Sequence, residues 1–327
     1  MCLLACAIST VFAAGAQAEE KKSIVTVVKV TGINWFTRME EGVKEFAKAN
    51  PEINASQTGP GRADAAQQLK IVQDLVAKNV SALAIVPFDP PTLEPILARA
   101  KSRGIKIVTH EADNLKNTDY DLEAFKNNEY GADLNERLAK CMTNKGEWAV
   151  LVGSLGSRSQ VQWAQGGIDN AKAKYPDLKL VTTMQETNND GEKAYQVAQQ
   201  LLRKYPNLAG FQGSSSLDVI GIGRAVEEAG KAGKICVFGT GLPGEAGPYM
   251  EKDAITGIAF WDPKDAGLAM NNVAKMLLEG KTIENGTDLG VPGYDKVTVE
   301  KGPGKGMIIR GAGWVRVDKS NYKQYNF

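Results

Sequence analysis

Two adjacent aromatics, Trp35 and Phe36, stand a few residues beyond Lys29, where a β-branched run gives way to a helical pattern. Aromatic rings offer flat apolar faces. The C–H groups of a polyhydroxylated ring or chain suit such faces, while its hydroxyls need donors and acceptors close by. The plainer alternative is one ring in the core and the other lying on the helix. A second cluster, His110-Glu111-Ala112-Asp113, follows an apolar run. Carboxylates accept strong charge-assisted hydrogen bonds, so Glu111 is expected to face a ligand. Asp113 joins it as a candidate, or else caps the turn. Further along, Ser154 to Trp163 carries Ser159 and Gln160 into a helix, Ser214 and Ser215 follow Gly213, and Trp261 precedes Asp262. Their amides, hydroxyls and carboxylate suit hydroxyl recognition; plain N-capping by Ser157 or Ser159 is compatible with it.

Other chemistries fit less well. Gly239-Thr240-Gly241-Leu242-Pro243-Gly244 has the spacing of a dinucleotide-binding glycine loop, with Asp262 near the expected distance. It falls late in the chain, however, and Pro243 cannot donate a backbone N–H. That disfavours an NAD-dependent dehydrogenase. Gly280-Lys281-Thr282 lacks the first glycine of a phosphate loop, since Lys275 stands there. His110 is the single histidine; with no nucleophile partnered to it, packing or ligand contact is expected rather than catalysis. One histidine and scattered cysteines exclude the usual zinc ligand sets. The chain is read as a binding protein without cofactor or metal, not an enzyme.

These residues share one placement, at the ends of strands. The runs at 23–30, 82–88, 106–109, 147–153, 178–184, 208–212, 235–239 and 255–261 read as strands, several of them continuously apolar as in parallel sheets. Between them apolar residues recur at helical spacing: 36–48 forms one helix, Leu69, Val72, Leu75 and Val76 mark another, and Ala194, Val197, Ala198, Leu201 and Leu202 a third. Lys174-Tyr175-Pro176-Asp177-Leu178 recurs as Lys204-Tyr205-Pro206-Asn207-Leu208, proline ending a helix and leucine opening a strand each time. Alternation throughout predicts an α/β fold of parallel sheets flanked by helices. The number of units is too large for one sheet, so two Rossmann-like lobes are expected. Ligands of such sheets bind beyond the carboxyl ends of the strands.

Thirty-nine basic and 38 acidic residues among 327 nearly cancel, and no basic stripe stands out, which excludes the footprint of a nucleic-acid binder. Residues 1–18 read as a signal peptide: an apolar stretch too short to span a bilayer, then Ala16-Gln17-Ala18 and a charged run. No Lys or Arg precedes the stretch, which is read as a start codon placed too far downstream; Leu4-Ala5-Cys6, a lipoprotein-like site, is the minor alternative. The mature chain keeps Cys141 and Cys236. An oxidising compartment permits a disulfide, but two buried thiols are the expectation for a fold of this size.

With the strand ends in view, the whole mature chain resembles a type I periplasmic sugar-binding protein, and within that family the autoinducer-2-binding (LsrB-like) and rhamnose-binding branch. The matching segments are VVKVTGINWFTRMEEGVKEFAK, ALAIVPFDPPTLEPILARAKSRGIKIVTHEAD, SQVQW, AFWDPKDAG and NYKQYNF. The resemblance implies a Venus-flytrap fold in which a three-stranded hinge joins an N-terminal lobe (19–116 with 262–295) to a C-terminal one (117–261 with 296–327). Crossings are expected at 114–120, near Trp261, and at 290–306. It also implies a periplasmic, monomeric carrier that closes on its ligand and docks on an inner-membrane ABC permease, with Glu40 and Glu41 either docking or simply solvated. Lys29 and Gln160 fall on the autoinducer branch's binding lysine and glutamine. Trp35 and Phe36 fall on the aromatic pair flanking the ligand, and Glu111 on a binding aspartate. Ser159 replaces another aspartate, Gly213 and Ser215 replace a proline and an alanine, and Gly241 stands near the site of the ribose branch's lost aspartate. The ligand implied is a different sugar, a deoxy-sugar or a sugar alcohol. Autoinducer-2 uptake or chemoreceptor-coupled sensing is the alternative.

Overall fold

The computed structural model describes residues 21–327; the signal-peptide reading of residues 1–18 lies outside them. The first βα units are β1 (Lys22–Val27), α1 (Asn34–Ala49), β2 (Ile53–Thr58), α2 (Ala65–Ala77), β3 (Ala82–Ile85), α3 (Pro90–Ser102), β4 (Lys106–His110) and β5 (Tyr120–Glu123). Next come α4 (Asn127–Cys141), β6 (Gly146–Val152), α5 (Arg158–Lys174), β7 (Leu178–Leu180), β8 (Gln185–Glu186), α6 (Gly191–Lys204), β9 (Leu208–Gly213), α7 (Ser216–Glu228) and β10 (Cys236–Thr240). The chain ends with α8 (Pro243–Glu251), β11 (Gly257–Phe260), α9 (Pro263–Leu278), β12 (Thr298–Lys301), β13 (Met307–Arg310) and β14 (Val315–Asp318).

Two sheets result, one per lobe. The first runs β12-β13-β5-β4-β3-β1-β2 and the second β14-β11-β10-β9-β6-β7, with β8 also on β6. Pairing is parallel except at β12–β13 and β11–β14. β3 and β4 are buried throughout apart from the half-buried first residue of β4, because helices cover both faces. β2 was not anticipated: INASQT alternates polar side chains on a sheet edge and carries little apolar signal. The strand expected over 178–184 stops at Leu180 and resumes only as β8.

The chain passes between lobes after β5, after β11 and after β13. The first and third passages correct the expected crossings at 114–120 and 290–306. β5, β12 and β13 belong to the first sheet, so residues 117–123 and 296–310, expected in the second lobe, lie in the first. β5 was not anticipated as a strand; it carries Asp121 and Glu123, yet all four of its residues are buried.

Cys141, at the end of α4, and Cys236, at the start of β10, form a disulfide with Cα atoms 6.0 Å apart. This corrects the expectation of two free thiols. The helix packs across the sheet so that its last residue reaches the strand's first, a juxtaposition that a spacing of 95 residues does not reveal.

Candidate functional site

β1 delivers Lys29 just past its carboxyl end, into the gap between the lobes, where it is 3% exposed. Burying an ammonium demands a partner. Glu111 supplies it, with Lys29 Nζ 2.5 Å from Oε2. Glu111 sits just after β4 at φ +61°, in the left-handed region that a branched-chain or bulky residue avoids. The turn is held by Asp121, whose Oδ1 accepts from Thr109 Oγ1 (2.7 Å) and from the Ala112 N–H (3.2 Å). Burial alone would push the Glu111 carboxyl up; the Lys29 charge and the hydrogen bonds from Lys29 and Ser159 outweigh it and hold the carboxyl below its ordinary value.

His110 is structural. Trp261 Nε1–H donates to its Nε2 (3.3 Å), so Nδ1–H is the donor to the Leu122 carbonyl (2.5 Å). Burial pushes its pKa down, and the ring is neutral. It ties β5 to the second passage between lobes and does not line the cavity.

The second lobe closes the site. Ser157 accepts from Lys29 Nζ (3.2 Å), and Ser159 Oγ donates to Glu111 Oε2 (2.9 Å). Gln160 is fixed by the Ser154 N–H (3.0 Å) and donates to Asn189 Oδ1 (2.9 Å). Gly153 lets this pair approach the backbone: a Cβ there would lie 2.1 Å from Asn189 Oδ1. Ser214 and Ser215 are presented by the first turn of α7, where Asp218 accepts from both backbone N–H groups and completes a capping box with Ser215.

Between these walls lies a small cavity. Lys29, Trp35, Phe36, Glu111, Gln160, Ser214, Ser215 and Trp261 line it, as the sequence placed them. Trp35 and Trp261 meet edge to face at 4.7 Å, and Trp163 meets Trp261 at 5.2 Å. Three expected residues stand elsewhere. Ser159 acts through Glu111. Asp113 faces Arg158 Nε (2.8 Å) and Gln162 Nε2 (3.0 Å). Asp262 caps α9 through the Lys264 N–H (2.9 Å) and binds Arg38 at both oxygens (2.9 and 2.7 Å), because α9 must start immediately after the passage between lobes. Both aspartates were placed correctly near strand ends, but helix termini and arginines claim them.

Ile33, Trp163, Asn189, Ser216 and Thr240 also line the cavity and were not selected as site residues. Trp163 lies on the helical face of Ser159 and Gln160, one turn on. Thr240 ends β10, so the strand-end rule points to it once the glycine motif around it is set aside. Asn189 follows the two-residue β8, which has no apolar run to mark it.

The polar groups left over define what the cavity can hold. Lys29 keeps one N–H, and among the described residues no donor hydrogen-bonds Glu111 Oε1. Asn189 Nδ2 and Ser214 Oγ are buried without a partner among the described residues. The one cation and one anion lining the cavity neutralise each other, so a charged ligand would leave a buried charge unpaired.

Comparison with known proteins gives the same picture. The D-allose-binding periplasmic protein of Escherichia coli (strain K12) is 30% identical over 254 residues, covering 74% of this chain and 79% of that protein. The xylitol-binding protein of Mycolicibacterium smegmatis is 26% identical over 87% of this chain and 80% of its own length. Among solved structures, LsrB from Clostridium saccharobutylicum in complex with AI-2 superposes with a TM-score of 0.85 at 17% identity, covering 93% of this chain and all of that one. Residues 24–282 match the periplasmic binding protein domain, so this two-lobed chain belongs to the periplasmic binding protein family, whose members are solute carriers and not enzymes.

Proposed function

We propose that the chain captures a neutral polyhydroxylated molecule of monosaccharide size between its lobes, in the periplasm, and presents it to an ABC permease of the inner membrane. Sugars, deoxy-sugars and sugar alcohols are the class. The observation that carries this reading is the cavity itself: a self-neutralised Lys29–Glu111 pair and unpartnered amide and hydroxyl atoms line it together with Trp35, Phe36, Trp163 and Trp261. Hydroxyls satisfy the former and C–H faces pack on the latter. The 30% identical relative named for D-allose and the relative named for xylitol support a sugar or sugar alcohol. Among the described residues no helix is long and apolar enough to cross a membrane, as a diffusible carrier requires.

A signalling reading has one specific support, that Lys29 and Gln160 line the same cavity. Against it, Ser159 offers no carboxylate. The deciding experiment is a thermal-shift and calorimetric screen of refolded protein against pentoses, hexoses, deoxy-sugars, C4–C6 sugar alcohols and autoinducer-2. A ligand at a hundredfold its Kd adds about 2.7 kcal/mol of stability. A shift with one sugar or polyol bears the proposal out; a shift with autoinducer-2 alone moves the role to signalling; a shift with nicotinamide cofactors alone overturns both.

A further inference from the structure

Asp113 belongs to the first lobe, just beyond β4, while Arg158 and Gln162 project from the first turns of α5 in the second. Their contacts therefore exist only while the lobes are together. Arg158 Nε lies 2.8 Å from Asp113 Oδ1, and Gln162 Nε2 lies 3.0 Å from Oδ2. Gln162 is pre-set for this. Its Oε1 accepts from Asn127 Nδ2 (2.9 Å), which turns the amide nitrogen toward Asp113. Asn127 is itself oriented by Trp163 Nε1–H, which donates to its Oδ1 (2.7 Å). Trp163 lines the cavity, and Asn127 opens α4 immediately after the first passage between lobes. On the other side of Asp113, Arg310 Nη2 stands 3.6 Å away at the end of β13, where the third passage begins. One carboxylate thus gathers both lobes and two hinge strands, without lining the cavity.

We infer that Asp113, Arg158 and Gln162 form a latch that sets the closed fraction of the protein by itself, and so tunes affinity for any ligand equally. They are positioning residues. A two-state protein binds with an apparent Kd divided by its competent fraction, so loosening the latch weakens every ligand by one factor and leaves their ranking alone. This rests on the two-lobed binding reading, but its test needs no ligand.

Spin labels on Arg62→Cys and Glu192→Cys, which flank the mouth of the cleft from opposite lobes, report the opening directly by pulsed distance measurement. The disulfide keeps Cys141 and Cys236 out of the labelling. Without any added ligand, a short-distance population is expected, and Arg158→Ala or Asp113→Asn should shrink its ratio to the open population by about threefold to tenfold, the reach of a partly exposed pair with a hydrogen-bonded neighbour. The double variant should lose no more than the larger single one, and the melting temperature should hold within a few degrees. Unchanged distances in both single variants would overturn the latch. So would equal losses accompanied by a large drop in melting temperature, which would make Asp113 a plain structural support. Arg158→Lys, keeping the charge, should restore part of the short population.

Discussion

The two walls of the cleft are built on opposite terms. The first lobe contributes Lys29, Glu111, Trp35 and Phe36: a paired charge and an aromatic platform, with most polar atoms already bonded. The second contributes Gln160, Asn189, Ser214, Ser215 and Thr240, all neutral, with Asn189 Nδ2 and Ser214 Oγ buried and unpartnered. A buried, self-neutralised ion pair holds its place whatever arrives, whereas unpartnered hydroxyls and amides are satisfied only by a ligand that reaches them. The first wall supplies binding in general, and the second distinguishes one ligand from another.

Lys29→Ala tests the first half of that contrast. It removes one partner of a buried pair, which costs about 3–5 kcal/mol, and it strips the cavity of its cation. Binding of every ligand in the panel should fall by roughly a thousandfold, the equivalent of about 4 kcal/mol, with the circular dichroism spectrum retained. Calorimetry showing a change for some ligands only would transfer discrimination to the first wall.

The lobes also differ in how their frames are held. Only the second carries the Cys141–Cys236 bridge among the described residues, closing a loop of 95 residues. Replacing both cysteines by serine should cost about 3–4 kcal/mol and lower the melting temperature by about 10 °C. Since neither residue lines the cavity, the Kd of the mature protein should stay the same; a weakened Kd would mean the bridge shapes the second wall.

A third difference is buried in the first lobe beside the hinge. Asp121 and Glu123, two apart on β5, share one face and are both buried. Burial, opposed by the hydrogen bond from Thr109, brings Asp121 up to about 6, and burial with the Asp121 and Asp113 charges raises Glu123 further against the pull of Arg310. Both folded values exceed the unfolded ones, so the native state retains protons that the unfolded chain releases. The stabilisation is complete below about pH 4 and is lost as pH rises through about 6, some 3 kcal/mol for Asp121 by linkage. Urea midpoints from pH 4 to 8 should fall across that window, and Glu123→Gln, which removes one of the two buried carboxyls, should flatten the decline. An unchanged slope in that variant would place the titration elsewhere.

The contrast between walls was itself partly legible in the sequence. Lys29, Trp35, Phe36 and Glu111 stand just beyond apolar strands whose ends are easy to find, and a buried cation or adjacent aromatics at such a place have few other uses. Gln160 and Ser214 were legible for the same reason. Asn189 was not, because the strand before it is two residues long. Asp113 and Asp262 were read as ligand contacts since sequence does not show which arginine will be near. β5 was hidden because a four-residue strand carrying Asp121 and Glu123 shows no apolar run, and the disulfide because only the packing of α4 across the second sheet brings its cysteines together.

Ser214→Ala bears on the second wall most narrowly. Ser214 Oγ has no protein partner, so its removal leaves no orphaned group behind in the ligand-free protein, and stability should change by less than about 0.5 kcal/mol. In the complex it deletes one hydrogen bond of about 1 kcal/mol. A ligand whose hydroxyl meets Ser214 should therefore lose roughly fivefold in affinity, while its deoxy analogue at that carbon should lose nothing. Calorimetric titration of both ligands against both proteins forms a complete cycle. A coupling near 1 kcal/mol makes the second wall the reader of hydroxyl pattern; losses equal for the two ligands would show that Ser214 only fills space, and the discrimination would then fall to Asn189, whose amide is the other unpartnered donor lining the cavity among the described residues.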